Sequence, residues 1–211
     1  MNLKEAFRFQ NKLQNLMDIS SNILSDRRNV TVTTETHLRK KVMPEAENEE
    51  TVQIAPSEYA DRINDVVEFL LDLLREREKL FAAIRSAKAS LDIDFDAATS
   101  LNSSRQELTA TLRDMADLRA SEVTMPNGGY GYRFNTDGNQ VTYKCDLRRV
   151  TTINFDRNAV RSHITRLSRE ADEVSAKLDQ ALVNTTVAYD APFDVGDSFA
   201  DIFEAFLDRR G

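Results

Sequence analysis

Between Ser57 and Leu91 no Gly or Pro interrupts the chain, and one apolar pattern runs the whole way. Tyr59, Ile63, Val66, Leu70, Leu73, Leu80, Ile84, Ala87 and Leu91 follow at steps of three and four, apart from one step of seven. That is the seam of an amphipathic helix packed on other helices. At about 1.5 Å per residue such a rod is roughly 50 Å long. Val67, Leu71, Leu74 and Phe81 widen the stripe, which predicts burial against more than one neighbour, as in a bundle. Pro56 breaks what precedes the rod, and Ser57 is a favoured capping residue. Arg77 stands where the seam wants an apolar residue. Either its stem packs while the charge reaches water, or it forms a buried ion pair that fixes register.

The flanking segments repeat this logic. Residues 2–25 read as a first helix with its face at Leu3, Ala6, Phe7, Leu13, Leu16, Met17, Ile23 and Leu24. From Asn29 the period changes to two and β-branched residues dominate, so a strand is expected through Val30, Val32, Thr34 and Thr36. A loop follows that is basic at Arg39–Lys41 and acidic from Glu45 to Glu50. Val52–Ala55 is the run that can pair back on the first strand. A third helix is expected over about Thr99–Glu122, facing inward through Leu101, Leu108, Leu112, Met115 and Leu118. Ser104 with Glu107 offers an alternative capped start. Met125–Gly129 reads as a turn, and residues 130–153 as a hairpin closed by Asp137-Gly138. A fourth helix starts near Asn154 or Asp156 and carries Val160, Ile164, Leu167, Ala171, Val174, Leu178 and Leu182. The segment from Ser198 to Arg209 ends the pattern as a short helix.

Composition narrows the function classes. The net charge is −7 over 211 residues, with 30% charged side chains, which disfavours nonspecific binding to nucleic acid or anionic membranes. The single cysteine, Cys145, cannot form an internal disulfide, and a small buried apolar role is expected for it. The amphipathic N-terminal segment lacks the apolar core of a secretory signal, and no apolar run approaches the roughly 18 residues of a membrane span, so a cytoplasmic protein is expected. His37 and His163 are the only histidines, with no ligand cluster beside them, and no metal, cofactor or catalytic residue is nominated. Asp92, Asp94 and Asp96 alternate, but lack the glycine and distal Glu of a calcium loop, so helix capping is the expected role. Gly128-Gly129-Tyr130-Gly131 opens a hairpin rather than a helix and is a poor phosphate cradle. Arg133, Lys144, Arg148 and Arg149 interleave with Tyr130 and Tyr132 in the hairpin, the pattern that binds single-stranded nucleic acid.

The stretch VTTINFDRNAVRSHITRLSREADEVSAKLDQALVNTTV, with a short strand, a capped helix rich in Arg and acids and an Asn-x-Thr exit, resembles the septicolysin-like bacterial proteins, small helical proteins of unsettled function. LKEAFRFQNKLQNL and SLDIDFDAATSLNSSRQELTATLRDM are similar in layout. The resemblance covers residues 1–187 loosely. The helix exit lacks the family's aromatic, and the tail after Tyr189 is an addition to it. The resemblance implies no catalytic residue, and the cytolytic activity its name suggests is not expected here.

The expected fold is mainly α: an antiparallel, coiled-coil-like bundle of long helices over 1–187, with a β arm (29–55) and a hairpin (130–153), then a linker and amphipathic helix over 188–211. Phe199, Ile202, Phe203, Phe206 and Leu207 fall on one face of that last helix. A dozen residues are too few for a stable isolated helix, so it must dock. These five residues are the expected partner-binding face, set in a groove of a second protomer, with capping of its own bundle as the other outcome. The expected function is a non-enzymatic interaction and self-association module, a dimer that also engages another protein, of the kind phages or mobile elements encode. The alternative is a nucleic-acid-associated module using the hairpin.

Overall fold

In the computed structural model residues 1–210 are described. The chain is mainly helical, with two antiparallel β-hairpins. It divides into two units, one made of Met1–Phe95 together with the residues from Asp179 onward, the other of Asp96–Leu178. The tail after residue 187 falls in the first unit.

In the first unit, α1 (Leu3–Ser25) opens with a reciprocal cap. The Glu5 amide donates to Asn2 Oδ1 and the Asn2 amide to Glu5 Oε2, both at 2.8 Å, which satisfies two of the free donors at the helix start. The long rod is α3 (Ile63–Ala89), and it runs antiparallel to α1. Lys88 near its end lies over the ring of Phe7 near the start of α1, while the Ser57 amide just before it donates to Asn29 just after α1. Leu3, Ala6, Phe9, Leu13, Leu16 and Ile23 of α1 and Val66, Phe69, Leu73, Leu80, Ile84 and Ala87 of α3 are buried. Each large side chain among them contributes about 1.5–3 kcal/mol on leaving water.

Five details differ from the sequence reading. On α1 and α3 the buried side chains include Phe9 and Phe69, while Phe7 and Leu70 of the expected faces are half-buried. Val67, Leu71, Leu74 and Phe81 are exposed, so the stripe of α3 is narrower than its composition. Ser57 does not cap the rod; a single 3-10 turn, Ala60–Arg62, intervenes. Arg27–Val30 form a short helix, α2, where a strand was expected. Asp26 caps α2 through the Arg28 amide, and Asn29 is buried because its side chain donates to the Ile23 carbonyl while accepting from Ser57. The arm is a smaller hairpin than expected, β1 (Thr34–His37) against β2 (Glu49–Val52), exposed throughout, with Thr34 opposite Val52. Its basic and acidic loop halves meet through the Arg39–Glu49 ion pair. Arg77 lays its guanidinium over the Phe81 ring at 5.2 Å, and its buried Nε has no hydrogen-bond partner among the described residues.

In the second unit, α4 (Phe95–Asp117) and α5 (Arg157–Asn184) lie antiparallel. Asn102 Nδ2 donates to Ser175 Oγ (2.9 Å), Arg113 to Ser168 Oγ (3.2 Å), and Arg157 to the Leu118 carbonyl. α4 begins and ends earlier than expected, and Ser104 does not cap it but donates back to the Ser100 carbonyl. Its buried residues are Phe95, Asn102, Thr109 and Ala116, at steps of seven, while Leu101, Leu108 and Leu118 are exposed. The expected leucine seam is thus replaced by a line of residues one position on, mostly small or polar, and Asn102 among them makes a hydrogen bond across the pair. Asp156 caps α5 as the sequence suggests, accepting from the Asn158 and Ala159 amides. Val160 and Ala171 are buried; Ile164, Leu167, Val174 and Leu178 are half-buried.

Between α4 and α5 the chain forms a long ribbon, β3 (Ser121–Phe134) against β4 (Gln140–Thr151). It is longer than the expected hairpin because Met125–Gly129 is a bulge inside β3 and not a turn. Pro126, Asn127 and Gly128 stand opposite Asp146 alone, Asn127 takes a left-handed φ of 55°, and its amide donates to Asp146 Oδ1 at 3.0 Å.

Candidate functional site

The ribbon is where the chain departs most from an ordinary globular surface. At about 3.3 Å per residue, the 12 residues of β4 span roughly 40 Å. No residue of either strand is buried. Its far end is built locally: the Asn135 side chain accepts from the Asp137 and Asn139 amides, and Gly138 takes φ 80°, a left-handed value that glycine adopts without strain. Gly131 is fixed by a close approach, since a Cβ there would collide with the Tyr143 ring lying across it.

The pairing register sorts the side chains onto two faces. One face carries Tyr130, Tyr132 and Phe134 with Thr142, Lys144 and Arg148. The other carries Arg133, Val141, Tyr143, Cys145 and Arg149. Tyr130, Tyr132 and Phe134 are 67%, 65% and 75% exposed. The basic residues singled out from sequence therefore do not form one patch. Arg133 and Arg149 face away from Tyr130 and Tyr132, and Arg148 is held by Glu122, Nε to Oε1 at 2.7 Å. Lys144, opposite Tyr130, stays with the tyrosines. Cys145 is exposed opposite Gly129, not buried as expected, because neither face of the ribbon is covered.

The other sequence-nominated face, on α6 (Phe199–Asp208), is used differently. A capping box of Ser198 and Asp201 starts the helix. Phe199 and Phe203 stand edge-on to Tyr59 and Phe69 at 5.3–5.7 Å, and Phe206 lies 5.2 Å from Phe69. Ile202, Phe203 and Phe206 are buried, and Leu207 is half-buried. Arg62 pairs with Glu204 at 2.6 Å. The five residues expected in a partner's groove are packed against their own chain. Of the receiving residues, sequence reasoning placed Tyr59 in the seam of the rod and missed Phe69. The signal for Phe69 was present, since it falls three residues after the seam residue Val66 and four before Leu73.

The segment leading to α6 is tied down as well. The Val187 amide donates to the Met1 carbonyl at 2.8 Å, and Phe9 packs on Tyr189 and Phe193. The Tyr189 hydroxyl donates to Glu76 Oε2, and burial followed by that acidic partner pushes its pKa well above the ordinary phenol range.

His37 lies in β1 and His163 on α5, in different units. Asp94 directly precedes α4 and Asp96 sits in its first turn, where a carboxylate favours the helix end. Among the described residues no three His, Cys, Asp or Glu side chains gather in a metal-holding group, and no helix is long and apolar enough to cross a membrane. Comparison with family models, with curated proteins and with solved structures finds no match.

Proposed function

We propose that this chain is a non-enzymatic binding and self-assembly module of the cytoplasm, built on coiled-coil-like pairs of long helices, with the β3–β4 ribbon as the element that engages another protein. The observation that carries this is the exposure of Tyr130, Tyr132 and Phe134 along one face of a ribbon with no buried residue. A two-stranded hairpin alone is marginal in water, and clustered exposed aromatics mark contact surfaces. Tyr in particular offers large contact area with a polar tip. The resemblance to the septicolysin-like proteins sits beside this reading and does not carry it.

The test compares the full chain with a variant in which residues 123–149 are replaced by a short turn. Binding partners captured by the full chain and lost by the variant, with helical circular dichroism retained, support the proposal. An identical set of captured proteins overturns it. Single-stranded DNA and RNA are included at two salt concentrations. Tight binding that weakens steeply with salt favours the nucleic-acid alternative, in which Lys144 beside Tyr130 is the first contact.

A further inference from the structure

The α4–α5 pair leaves one of its edges apolar. Arg105 and Glu170 meet across the pair at 3.9 Å and so mark a single edge. On α4, Leu101 and Leu108 lie four residues before and three after Arg105, with Leu112 seven after it. On α5, Leu167 and Val174 lie three before and four after Glu170. Residues at these spacings share a helix face. All five apolar side chains therefore line the Arg105–Glu170 edge. The Arg113–Ser168 hydrogen bond marks the opposite edge. Because the seam between the helices is filled by Asn102, Thr109, Ala116, Ala171 and Ser175, the larger side chains are left at the rim. Leu101 is 57% and Leu108 49% exposed, and Leu112, Leu167 and Val174 are half-buried.

The charge on α5 says what fits there. Its first half, residues 157–169, holds Arg157, Arg161, Arg166 and Arg169 and no acid. Its second half holds Glu170, Asp172, Glu173 and Asp179 against Lys177 alone. The sign changes between Arg169 and Glu170, beside the midpoint of the helix. A helix of this kind is complementary to itself in the antiparallel direction. A two-fold axis near the midpoint sets basic half against acidic half twice over, and places Leu167 across from Val174 of a second copy.

We propose that the edge carrying Leu101, Leu108, Leu112, Leu167 and Val174 is the seat of a second copy of this chain, with the two α5 helices antiparallel. The proposal deepens the assembly part of the proposed function and moves it from the tail helix, whose apolar face is spent on its own unit. Four helices then surround the leucine edge, and the Arg105–Glu170 pairs flank it. The buried Asn102, bonded to Ser175, fixes the alignment of α4 on α5 that places these leucines in one row.

Light scattering on the full chain reads the outcome directly. The wild-type protein is expected at twice 24.0 kDa at micromolar concentration. The variant Leu101→Glu with Leu108→Glu, both at exposed positions, is expected at the single-chain mass with unchanged helical circular dichroism. The charge arrangement has its own test: Arg166→Glu in one protein, Glu173→Arg in another, both beside the Leu167–Val174 face. Each alone is expected to lose the dimer, and an equimolar mixture to regain it as a heterodimer. A wild-type protein of single-chain mass overturns the proposal. So does a folded leucine variant that keeps the doubled mass, or a charge mixture that stays monomeric. Ribbon-dependent capture of another protein by a monomeric chain sinks this inference together with the self-assembly part of the proposed function and leaves its binding part standing, whereas a leucine variant that keeps the doubled mass sinks this inference alone.

Discussion

The Tyr189 hydroxyl donates to Glu76 Oε2 at 2.9 Å, fastening the segment after α5 to the middle of α3. Glu76 also accepts from Lys79 at 2.6 Å. The Tyr189 pKa is raised in the folded chain above its free value of about 10. Its contribution to stability is therefore complete below about pH 10 and is lost as pH rises above that, since a tyrosinate there is half-buried and faces a carboxylate. Tyr189→Phe is expected to cost about 1 kcal/mol at neutral pH. The gap between wild type and variant in urea unfolding should shrink between pH 9.5 and 11. A gap that widens with pH reverses the sign and refutes the assignment.

Phe203 is fully buried among Tyr59, Phe69 and Phe199. Phe203→Ala is expected to destabilise the first unit by about 3–5 kcal/mol. Combined with Phe69→Ala the losses should fall short of additive, because the two rings touch. Full additivity would place α6 somewhere other than on α3.

Gly131→Ala drives a methyl group into the Tyr143 ring. A loss of about 1–3 kcal/mol is expected, confined to the ribbon. In a Tyr143→Ala background the same change should cost much less. Hydrogen exchange of the β3 and β4 amides reads both, and equal costs in the two backgrounds remove Tyr143 from the explanation.

Asn102 donates to Ser175, yet its buried Oδ1 accepts from none of the described residues. Replacing both partners, Asn102→Leu with Ser175→Ala, removes the orphan oxygen together with the bond. The expected result is neutral to about 1 kcal/mol more stable. A clear loss in thermal unfolding would show that the hydrogen bond outweighs the unsatisfied oxygen.

Sequence periodicity marked the helices and the ribbon tip well, because Asp137-Gly138 and the three-four spacing act locally. It misjudged which face each helix buries. Leu101 and Leu108 are the obvious inward residues of α4 by hydrophobicity, but Asn102 and Thr109 are inside, since Ser175 and the Arg105 carbonyl receive their polar atoms. Phe9 and Phe69 were passed over for Phe7 and Leu70, a shift of one or two positions that only the arrival of Tyr189, Phe193 and α6 decides. Met125–Gly129 has the composition of a turn and forms a bulge, because Asp146 on the facing strand takes up the Asn127 amide. As for the candidate surface, the aromatics and basic residues of the ribbon were legible, while their division between two faces was not, because it depends on register.

The first unit is assembled from two stretches of sequence with the whole second unit between them. During synthesis α4, the ribbon and the first half of α5 are all complete before Phe199, Phe203 and Phe206 exist to cover Tyr59 and Phe69. Since domains fold as units while the chain emerges, the second unit is free to fold first. The α1–α3 pair meanwhile carries an open aromatic face through the making of about half the chain, a period of several seconds at 5–20 residues per second. In the cell that interval is when this protein is most exposed to chaperones and to miscapture by its neighbours.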